Sequence, residues 1–122
     1  CRVDAYIYDM AAAYAWAALV ICRAGALTVS EIAAAGLPSM LIPFPHAVDD
    51  HQTRNAHWLS DAGAALLMPQ SALTAELLAA QLNTFMNDRN LLLSMAGAAR
   101  ALARPEACDL VALECMEACK GK

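Results

Sequence analysis

One stretch of this sequence constrains its fold more than any other, the residues from Arg23 to Pro38, RAGALTVSEIAAAGLP. They follow an apolar run, Leu19 to Cys22, which predicts a buried strand. Arg23 to Ala26 is too small and polar to continue that strand, and Gly25 allows a tight turn with a positive φ angle. From Leu27 the apolar spacing becomes helical, and a Gly-Leu-Pro sequence ends the helix. The sequence therefore predicts a strand, a tight turn and a helix in immediate succession.

The turn and the start of the helix together favour binding of a phosphate. The first N–H groups of a helix have no partner within the helix and lie at the positive end of its dipole, which suits an anion. Glu31 is expected on the first helical turn, where its carboxylate can accept hydrogen bonds from hydroxyl groups such as those of a ribose. The alternative is a βα turn of any α/β domain, in which Glu31 only complements the helix dipole.

The composition indicates one folded domain or a piece of one. The 122 residues are 60% apolar and 16% charged, so a sizeable core can be buried and disorder is not expected. The net charge is −4 and the eight Lys and Arg residues are scattered, which argues against nucleic-acid binding. The sequence shows no apolar run of membrane-spanning length and no signal peptide. We expect Cys1 to be a truncation point.

The five cysteines have no spacing typical of a disulfide framework. Cys108, Cys115 and Cys119 fall on one face of a predicted C-terminal helix. A zinc site there would need a further ligand, and the three histidines lie far away in sequence. We therefore expect these cysteines to be buried as small hydrophobic residues in a reducing compartment.

Strands and helices alternate along the chain with short loops between them. The pattern predicts strands over 3–8, 19–22, 39–42 and 65–68, and helices over 10–17, 27–35, 51–62, 71–86 (or from 74), 91–103 and from 105 onwards. The last helix is expected to turn Leu110, Leu113 and Met116 inward. Such alternation predicts an α/β fold with a parallel, Rossmann-like sheet flanked by helices. Ligands of such sheets bind at the carboxyl ends of the strands, so we expect the loops 7–9, 23–27 and 43–51 to share one edge.

A dense polar segment, His46 to Ala56, separates two apolar segments. Gln52 and Asn55 lie three residues apart and would share one face of a helix that begins near His51. Side-chain amides both donate and accept hydrogen bonds, as recognition of sugar hydroxyls requires.

Two other interpretations of the polar segment stay open. In the first, Asp49 or Asp50 caps the helix and the two amides are solvated. In the second, His46 and His51 hold a metal together with one of those aspartates, although the spacing typical of a metal site is incomplete.

Four segments carry a resemblance to a known family: DMAAAYAWA, CRAGALTVSEIAAAGLP, LIPFPHAVDDHQTRNA and AGAALLMPQ, in this order and spacing. Over nearly its whole length, and least after about Ser71, the chain resembles a bacterial peptidoglycan glycosyltransferase family. Those enzymes transfer N-acetylglucosamine from UDP-N-acetylglucosamine to undecaprenyl-pyrophosphoryl-N-acetylmuramoyl-pentapeptide, converting lipid I to lipid II. They are inverting GT-B enzymes, built of two Rossmann-like domains that face each other across a cleft. The chain matches the later part of the C-terminal, donor-binding domain.

The resemblance implies a site for UDP-N-acetylglucosamine. Ile7 matches the residue whose backbone pairs with the uracil edge, with Met10 packing nearby. The turn formed by Ala26, Leu27 and Thr28 matches the segment whose amides and hydroxyl meet the diphosphate.

The same resemblance assigns the two sugars. Glu31 matches the acid that holds the ribose hydroxyls. Gln52 and Asn55, together with His51, match the part that reads the hydroxyls of N-acetylglucosamine. Arg23 matches a basic residue of the family, and the sequence leaves open whether it touches the ligand or supports the loop.

The resemblance also implies what a complete enzyme needs beyond these residues. The acceptor domain, with its general-base candidate and apolar membrane patch, and the first strands of the donor domain have no counterpart here, so the fragment alone is expected to be inactive. The implied partners are UDP-N-acetylglucosamine and, through the acceptor domain, lipid I, with no cofactor, metal or nucleic acid. The implied location is the cytoplasmic face of the bacterial inner membrane, as a peripheral protein.

Two further expectations concern the isolated chain and its function. A domain without its first strands exposes apolar surface and an open sheet edge, so the isolated chain is expected to self-associate or to be marginally stable. The alternative function is a non-catalytic or differently specific nucleotide-sugar-binding α/β domain.

Overall fold

The computed structural model describes residues 1–45 and 50–120. Its sheet contains three short parallel strands in chain order: β1 (Val20–Cys22), β2 (Ser39–Leu41) and β3 (Ala65–Leu67). Ile21 lies opposite Met40, and Met40 lies opposite Leu66. The three strands therefore end at the same edge of the sheet, and helices supply the crossovers that parallel neighbours need.

Six α-helices accompany the strands in the described part of the chain. They are α1 (Met10–Trp16), α2 (Ala26–Ala35), α3 (His51–Ser60), α4 (Ala75–Asn87), α5 (Arg89–Ala101) and α6 (Ala107–Lys120), with a 3-10 turn at Gln70–Ala72. Asp9, Thr74 and Asp88 cap α1, α4 and α5, each accepting a hydrogen bond from the N–H group three residues further on. The predicted helices and the strands from β1 onwards are confirmed to within a few residues at each end.

The central strand, β2, is buried on both faces. Met40 and Leu41 are both fully buried, although neighbouring side chains of a strand point to opposite sides. Leu41 packs in a cluster with Ile32 of α2 and Leu59 of α3, whereas Met40 packs in a second cluster with Phe85 of α4. The sheet therefore lies between two layers of helices, as a Rossmann-like parallel sheet requires.

The strand predicted over residues 3–8 is wrong. This segment has no strand structure, and Val3 and Tyr8 are about nine-tenths exposed. Local contacts occupy it instead, namely the ion pair between Arg2 and Asp4 and the edge-to-face contact between the rings of Tyr6 and Tyr8. An alternating pattern makes a strand only where a neighbouring strand offers hydrogen bonds, and the three-stranded sheet of the described residues offers none here.

The inward orientation predicted for the last helix is also wrong. No residue of α6 is buried, and Leu110, Leu113 and Met116 are each more than half exposed. The burial expected for the cysteines of this helix is wrong too, because Cys108, Cys115 and Cys119 are exposed. Cys1 is also exposed, whereas Cys22 is half-buried. The apolar spacing predicted the helix correctly, but periodicity gives no information on whether another element lies against the apolar face.

The positive φ angle predicted for Gly25 is found at Gly36 and Gly63 instead. Gly25 has φ −65° and ψ 148°, the extended conformation usual for the residue that precedes a helix. The chain therefore enters α2 without a left-handed residue. Gly36 ends α2 with φ 67°, as the predicted helix end requires.

None of the helices in the described part of the chain combines the length and the apolar character that a bilayer crossing requires.

The hydroxyl group of Ser39 generates a stability prediction. Ser39 is fully buried in β2, and its Oγ has no hydrogen-bond partner among the described residues. An unsatisfied buried polar group costs about 1–3 kcal/mol, so we expect Ser39→Ala to raise the free energy of unfolding by about 1 kcal/mol. Denaturant titration measures the change. The exposed Ser94 of α5 serves as control, because its replacement by alanine shows the effect of the serine-to-alanine change at a site that is not buried. A loss of stability for Ser39→Ala would contradict the prediction and show that the Ser39 hydroxyl is satisfied.

The exposed apolar side chains of α6 favour the predicted self-association of the isolated chain. We expect the isolated chain to sediment as larger species as its concentration rises, because α6 and the open edge of β1 expose apolar surface. The double variant Leu113→Lys and Met116→Lys should reduce the association if α6 drives it. A single monomeric species over a hundredfold concentration range would contradict the prediction.

Candidate functional site

The loops that follow β1 and β2 meet at the carboxyl edge of the sheet, and Arg23 joins them. Its Nη1 donates hydrogen bonds to the carbonyl oxygens of Ile42 and Pro43, both at 3.2 Å. Its guanidinium carbon lies 5.6 Å from the centroid of the Phe44 ring, within cation–π range. Arg23 therefore supports the loop.

Two side-chain amides of α3 fix the same pair of loops from the other side. Asn55 Nδ2 donates to the carbonyl oxygen of Ala24 at 3.0 Å, and Gln52 Oε1 accepts from the N–H group of Phe44 at 2.9 Å. Both side chains are partly buried, so the interpretation in which they are solvated is wrong. Each amide uses one of its ends for the backbone. Among the described residues, no hydrogen-bond partner is found for Asn55 Oδ1, which can accept, or for Gln52 Nε2, which can donate.

The helix α2 begins without a side-chain cap. Its N-cap residue is Gly25, which has no side-chain oxygen, and the first N–H group bonded to Gly25 O is that of Val29. The N–H groups of Ala26, Leu27 and Thr28 thus receive no side-chain cap. Ala26 and Leu27 are exposed and Thr28 is half-buried. Uncapped N–H groups at an accessible helix start suit an anion such as a phosphate.

Glu31 lies in the second turn of α2, five residues after its first residue, and not in the first turn as the sequence predicted. The effect of the helix dipole falls off within one turn, so it gives little reason for an acid at this position. The carboxylate accepts a hydrogen bond from a side chain of α1: Tyr14 Oη donates to Glu31 Oε2 at 3.0 Å. Glu31 is exposed, and Tyr14 is half-buried.

Burial, together with the neighbouring carboxylate of Glu31, raises the pKa of the Tyr14 phenol to about 12. The phenol therefore stays protonated and remains a hydrogen-bond donor across the physiological pH range. Burial also raises the pKa of the Cys22 thiol, at the end of β1, to about 11, which makes it a poor nucleophile.

An open groove of about 520 Å³ runs between α1 and α2 beside these residues. Met10 and Tyr14 line one wall, Glu31 lines the other, and Arg100 of α5 lies at the groove as well. Ile7, just ahead of α1, is about half exposed. A second groove of about 340 Å³ continues past Leu27 and Glu31, along Trp58, Arg104 and further residues of α2, α5 and α6.

The residues that the sequence assigned to a ligand thus lie at one region, but their binding roles stay predictions. Met10 and Glu31 line the α1–α2 groove, and Ile7 lies three residues before α1 in the sequence. The turn 26–28 forms the start of α2, and Gln52 and Asn55 support the neighbouring loops. His51 is exposed at the first position of α3.

Two interpretations of the polar segment concern capping of α3 by Asp49 or Asp50 and a metal held by His46 and His51. His46 and Asp49 lie outside the described residues. Asp50 precedes α3 with φ 52°, and its carboxylate accepts a hydrogen bond from Thr53 Oγ1 but caps no N–H group. The residues that the structure describes contain no cluster of three His, Cys, Asp or Glu side chains that could hold a metal ion.

Tyr14 is the site residue whose position the sequence analysis missed. The alternating α/β pattern did hold a signal for it. Helices that precede parallel strands start at the same edge of the sheet, so Tyr14, four residues into α1, comes level with Glu31, five residues into α2. At this common height along the two helices, the Tyr14 hydroxyl reaches the Glu31 carboxylate.

The fold and the edge define a class of protein, a parallel α/β domain with an accessible helix start and a hydrogen-bonded acid beside a groove. The match to known families makes this more specific. Residues 1–111 match the family described as the glycosyltransferase family 28 C-terminal domain, and the chain belongs to that family.

Similar proteins share one name. The UDP-N-acetylglucosamine--N-acetylmuramyl-(pentapeptide) pyrophosphoryl-undecaprenol N-acetylglucosamine transferase of Marinobacter nauticus is 59% identical over 119 residues, which cover 98% of this chain and 33% of that protein. The protein of the same name from Methylococcus capsulatus is 56% identical over 116 residues, covering 95% of this chain and 33% of that protein. The chain therefore spans about one third of the length of these relatives.

A solved structure shows the same architecture. The crystal structure of Acinetobacter baumannii MurG superposes with a TM-score of 0.83 at 52% sequence identity, over 90% of this chain and 31% of that one. The resemblance noted in the sequence is confirmed, and so is the fold class, a Rossmann-like α/β fold from the C-terminal domain of a GT-B glycosyltransferase.

The contact between Tyr14 and Glu31 can be tested by titration. A pKa raised from 10 to about 12 means that the folded state favours the neutral phenol. This contribution to stability is fully present below pH 10 and is lost as the pH rises through 12. We expect the ultraviolet absorbance of phenolate to show a step near pH 12 that Tyr14→Phe removes and that Glu31→Gln shifts to lower pH. A titration curve that Tyr14→Phe leaves unchanged in this range would contradict the contact.

Proposed function

We propose that this chain is the donor-binding part of an N-acetylglucosaminyltransferase of peptidoglycan synthesis. The complete protein would transfer N-acetylglucosamine from UDP-N-acetylglucosamine to undecaprenyl-pyrophosphoryl-N-acetylmuramoyl-pentapeptide. The observation that carries the proposal is the 56–59% identity, over 95–98% of this chain, to proteins with that name. The structure supports it independently through the chemistry of the carboxyl edge.

The diphosphate of the donor binds at the start of α2. Uncapped N–H groups of Ala26, Leu27 and Thr28 donate hydrogen bonds to the phosphate oxygens, and the Thr28 hydroxyl adds a further donor. The same groups stabilise the charge that develops on the leaving diphosphate when the glycosidic bond breaks, and such charge stabilisation is a large contribution to catalysis. Arg23 holds the loop ahead of these amides, and its support does not require contact with the ligand.

The nucleoside lies in the groove between α1 and α2. The carboxylate of Glu31 accepts hydrogen bonds from the ribose hydroxyls, and the position of Glu31 in the second turn leaves little role for it as a complement to the dipole. The backbone of Ile7 pairs with the uracil edge, and the Met10 side chain packs against the base.

The N-acetylglucosamine moiety is read by α3. Gln52 and Asn55 are oriented by their hydrogen bonds to the backbone of the two loops, so that their remaining donor and acceptor are held in place before the sugar arrives. His51, at the start of the same helix, contributes to this part of the site.

The other half of the reaction lies in the part of the protein that this chain does not include. The chain corresponds to one third of its relatives, and we assign the acceptor domain, the general base that takes the proton of the acceptor hydroxyl and the start of the donor domain to the remainder. Since the acceptor is a polyprenyl lipid, the complete protein works as a peripheral protein at the cytoplasmic face of the inner membrane, where peptidoglycan synthesis serves cell shape and division.

The test is transfer of N-acetylglucosamine from UDP-N-acetylglucosamine to lipid I by the full-length protein. We expect Glu31→Ala to raise the donor KM by about 10- to 100-fold, because a charge-assisted hydrogen bond is worth about 1.5–3 kcal/mol. The melting temperature should change little, since Glu31 is exposed and its removal leaves no cavity.

Glu76 provides a matched control. It is an exposed acid in the first turn of α4, remote in sequence from the edge residues. Hydrogen bonds from its own backbone and from the Thr74 hydroxyl hold its pKa below the usual value. Glu76→Ala should lower stability slightly and leave the donor KM unchanged. If Glu31→Ala keeps the donor KM within about twofold while stability falls, Glu31 is a structural residue. Absence of transfer by the unmodified protein would overturn the function itself.

A further inference from the structure

Tyr14 contacts the acid of the site but has no part in the function proposed above. It belongs to α1, and Glu31, seventeen residues later, belongs to α2. The phenol donates to Glu31 Oε2 at 3.0 Å, and both side chains line the groove between the two helices. The contact thus joins two elements that form opposite walls of the same groove.

The phenol supplies the orientation that Glu31 lacks on its own. The Glu31 side chain is exposed and has three rotatable bonds, and among the described residues it forms no ion pair. Tyrosine has two rotatable side-chain bonds and loses little conformational entropy when it is held. With Oε2 bonded to the phenol, the carboxylate plane is fixed and Oε1 is left to accept from a ligand.

We propose that Tyr14 is a positioning residue, which holds the Glu31 carboxylate in the orientation that accepts the ribose hydroxyls of a uridine diphosphate sugar. The inference rests on the proposed function, because it assumes that Glu31 binds the ribose. A carboxylate that is oriented before the ligand arrives loses less entropy on binding, so the effect falls on the affinity for the donor. The high pKa of the phenol keeps it a donor wherever the enzyme works.

The charged residue beside the groove, Arg100, has other contacts, which leaves the positioning of the Glu31 carboxylate to Tyr14. Arg100 lines the same groove, but its Nη1 donates to the carbonyl oxygen of Ala34 in α2. That bond occupies one of the guanidinium donors with the backbone. Tyr14 is the described side chain that bonds the carboxylate itself.

The first experiment is Tyr14→Phe in the full-length enzyme, with transfer measured against donor concentration. Phenylalanine keeps the ring between α1 and α2 and removes only the hydroxyl. We expect the donor KM to rise on the order of 3- to 10-fold, the effect of one ordinary hydrogen bond, with kcat within twofold of the parent. Tyr6→Phe, the same change at a residue 70% exposed, should alter neither constant. Melting curves of both variants verify that the fold is retained.

The second experiment separates positioning from a structural effect. In a double-mutant cycle, Tyr14→Phe should raise the donor KM in the parent but cause no further rise in the Glu31→Ala background. The 2′-deoxyuridine and 3′-deoxyuridine analogues of UDP-N-acetylglucosamine provide an independent readout. The preference for the natural donor over the analogue that lacks the Glu31-bonded hydroxyl should fall in Tyr14→Phe, and a general loosening of the fold would leave it unchanged.

The outcomes distinguish this inference from the proposed function. If Glu31→Ala leaves the donor KM unchanged, the ribose role of Glu31 fails and the inference fails with it. If Glu31→Ala raises the donor KM but Tyr14→Phe does not, the proposed function stands and the inference is overturned. Equal effects of Tyr14→Phe with and without Glu31 would also overturn it, because Tyr14 would then act independently of the carboxylate.

Discussion

The structure of the carboxyl edge of the sheet depends on hydrogen bonds between three side chains and the backbone groups of two adjacent loops. Arg23 bonds the carbonyl oxygens that follow β2, Asn55 bonds the carbonyl that follows β1, and Gln52 bonds the N–H group of Phe44. Parallel pairing brings the two loops to the same edge but leaves their polar groups unsatisfied. The three side chains satisfy some of these groups and so hold the two loops together.

This arrangement explains why the same side chains can serve both the fold and a ligand. A side-chain amide has a donor and an acceptor end, and when one end is bonded to the backbone the other has a fixed direction. Glu31 obeys the same rule, because Tyr14 holds one carboxylate oxygen and leaves the second. Substitution of such residues is therefore expected to alter binding and loop geometry together, and only matched controls and double-mutant cycles separate the two effects.

Prediction from the sequence succeeded where local pattern decides the structure and failed where distant parts of the chain decide it. The helix bounds, the end of α2 at Gly36 and the presence of β1, β2 and β3 depend on apolar spacing and on residues that end helices. The segment 3–8 and the apolar face of α6 could not be predicted, because each depends on whether another element lies beside it. The first-turn prediction for Glu31 was a miscount, because Glu31 is the fifth residue of a helix that begins at Leu27 and the sixth of one that begins at Ala26, and one turn holds about 3.6 residues. Glu31, Gln52 and Asn55 were predicted from the residue pattern and the other site residues from a family resemblance. The roles of all of them are tested by binding and not by the fold.

The proposed function divides the labour between this chain and the rest of the protein, and this division follows the order of the elements. The loop before α1, the start of α2 and the start of α3 lie within about fifty consecutive residues, and the strand pairing brings them to one edge. The proposed donor site is held together by contacts between residues far apart in the sequence, such as those of Arg23 with Ile42, of Asn55 with Ala24 and of Tyr14 with Glu31. In the proposed function, the transfer also needs a base that takes the proton of the acceptor hydroxyl, and we assign this base to the part of the protein outside this chain. Donor affinity and acceptor chemistry are therefore expected to respond to different sets of substitutions, with the boundary between them at the carboxyl edge of this sheet.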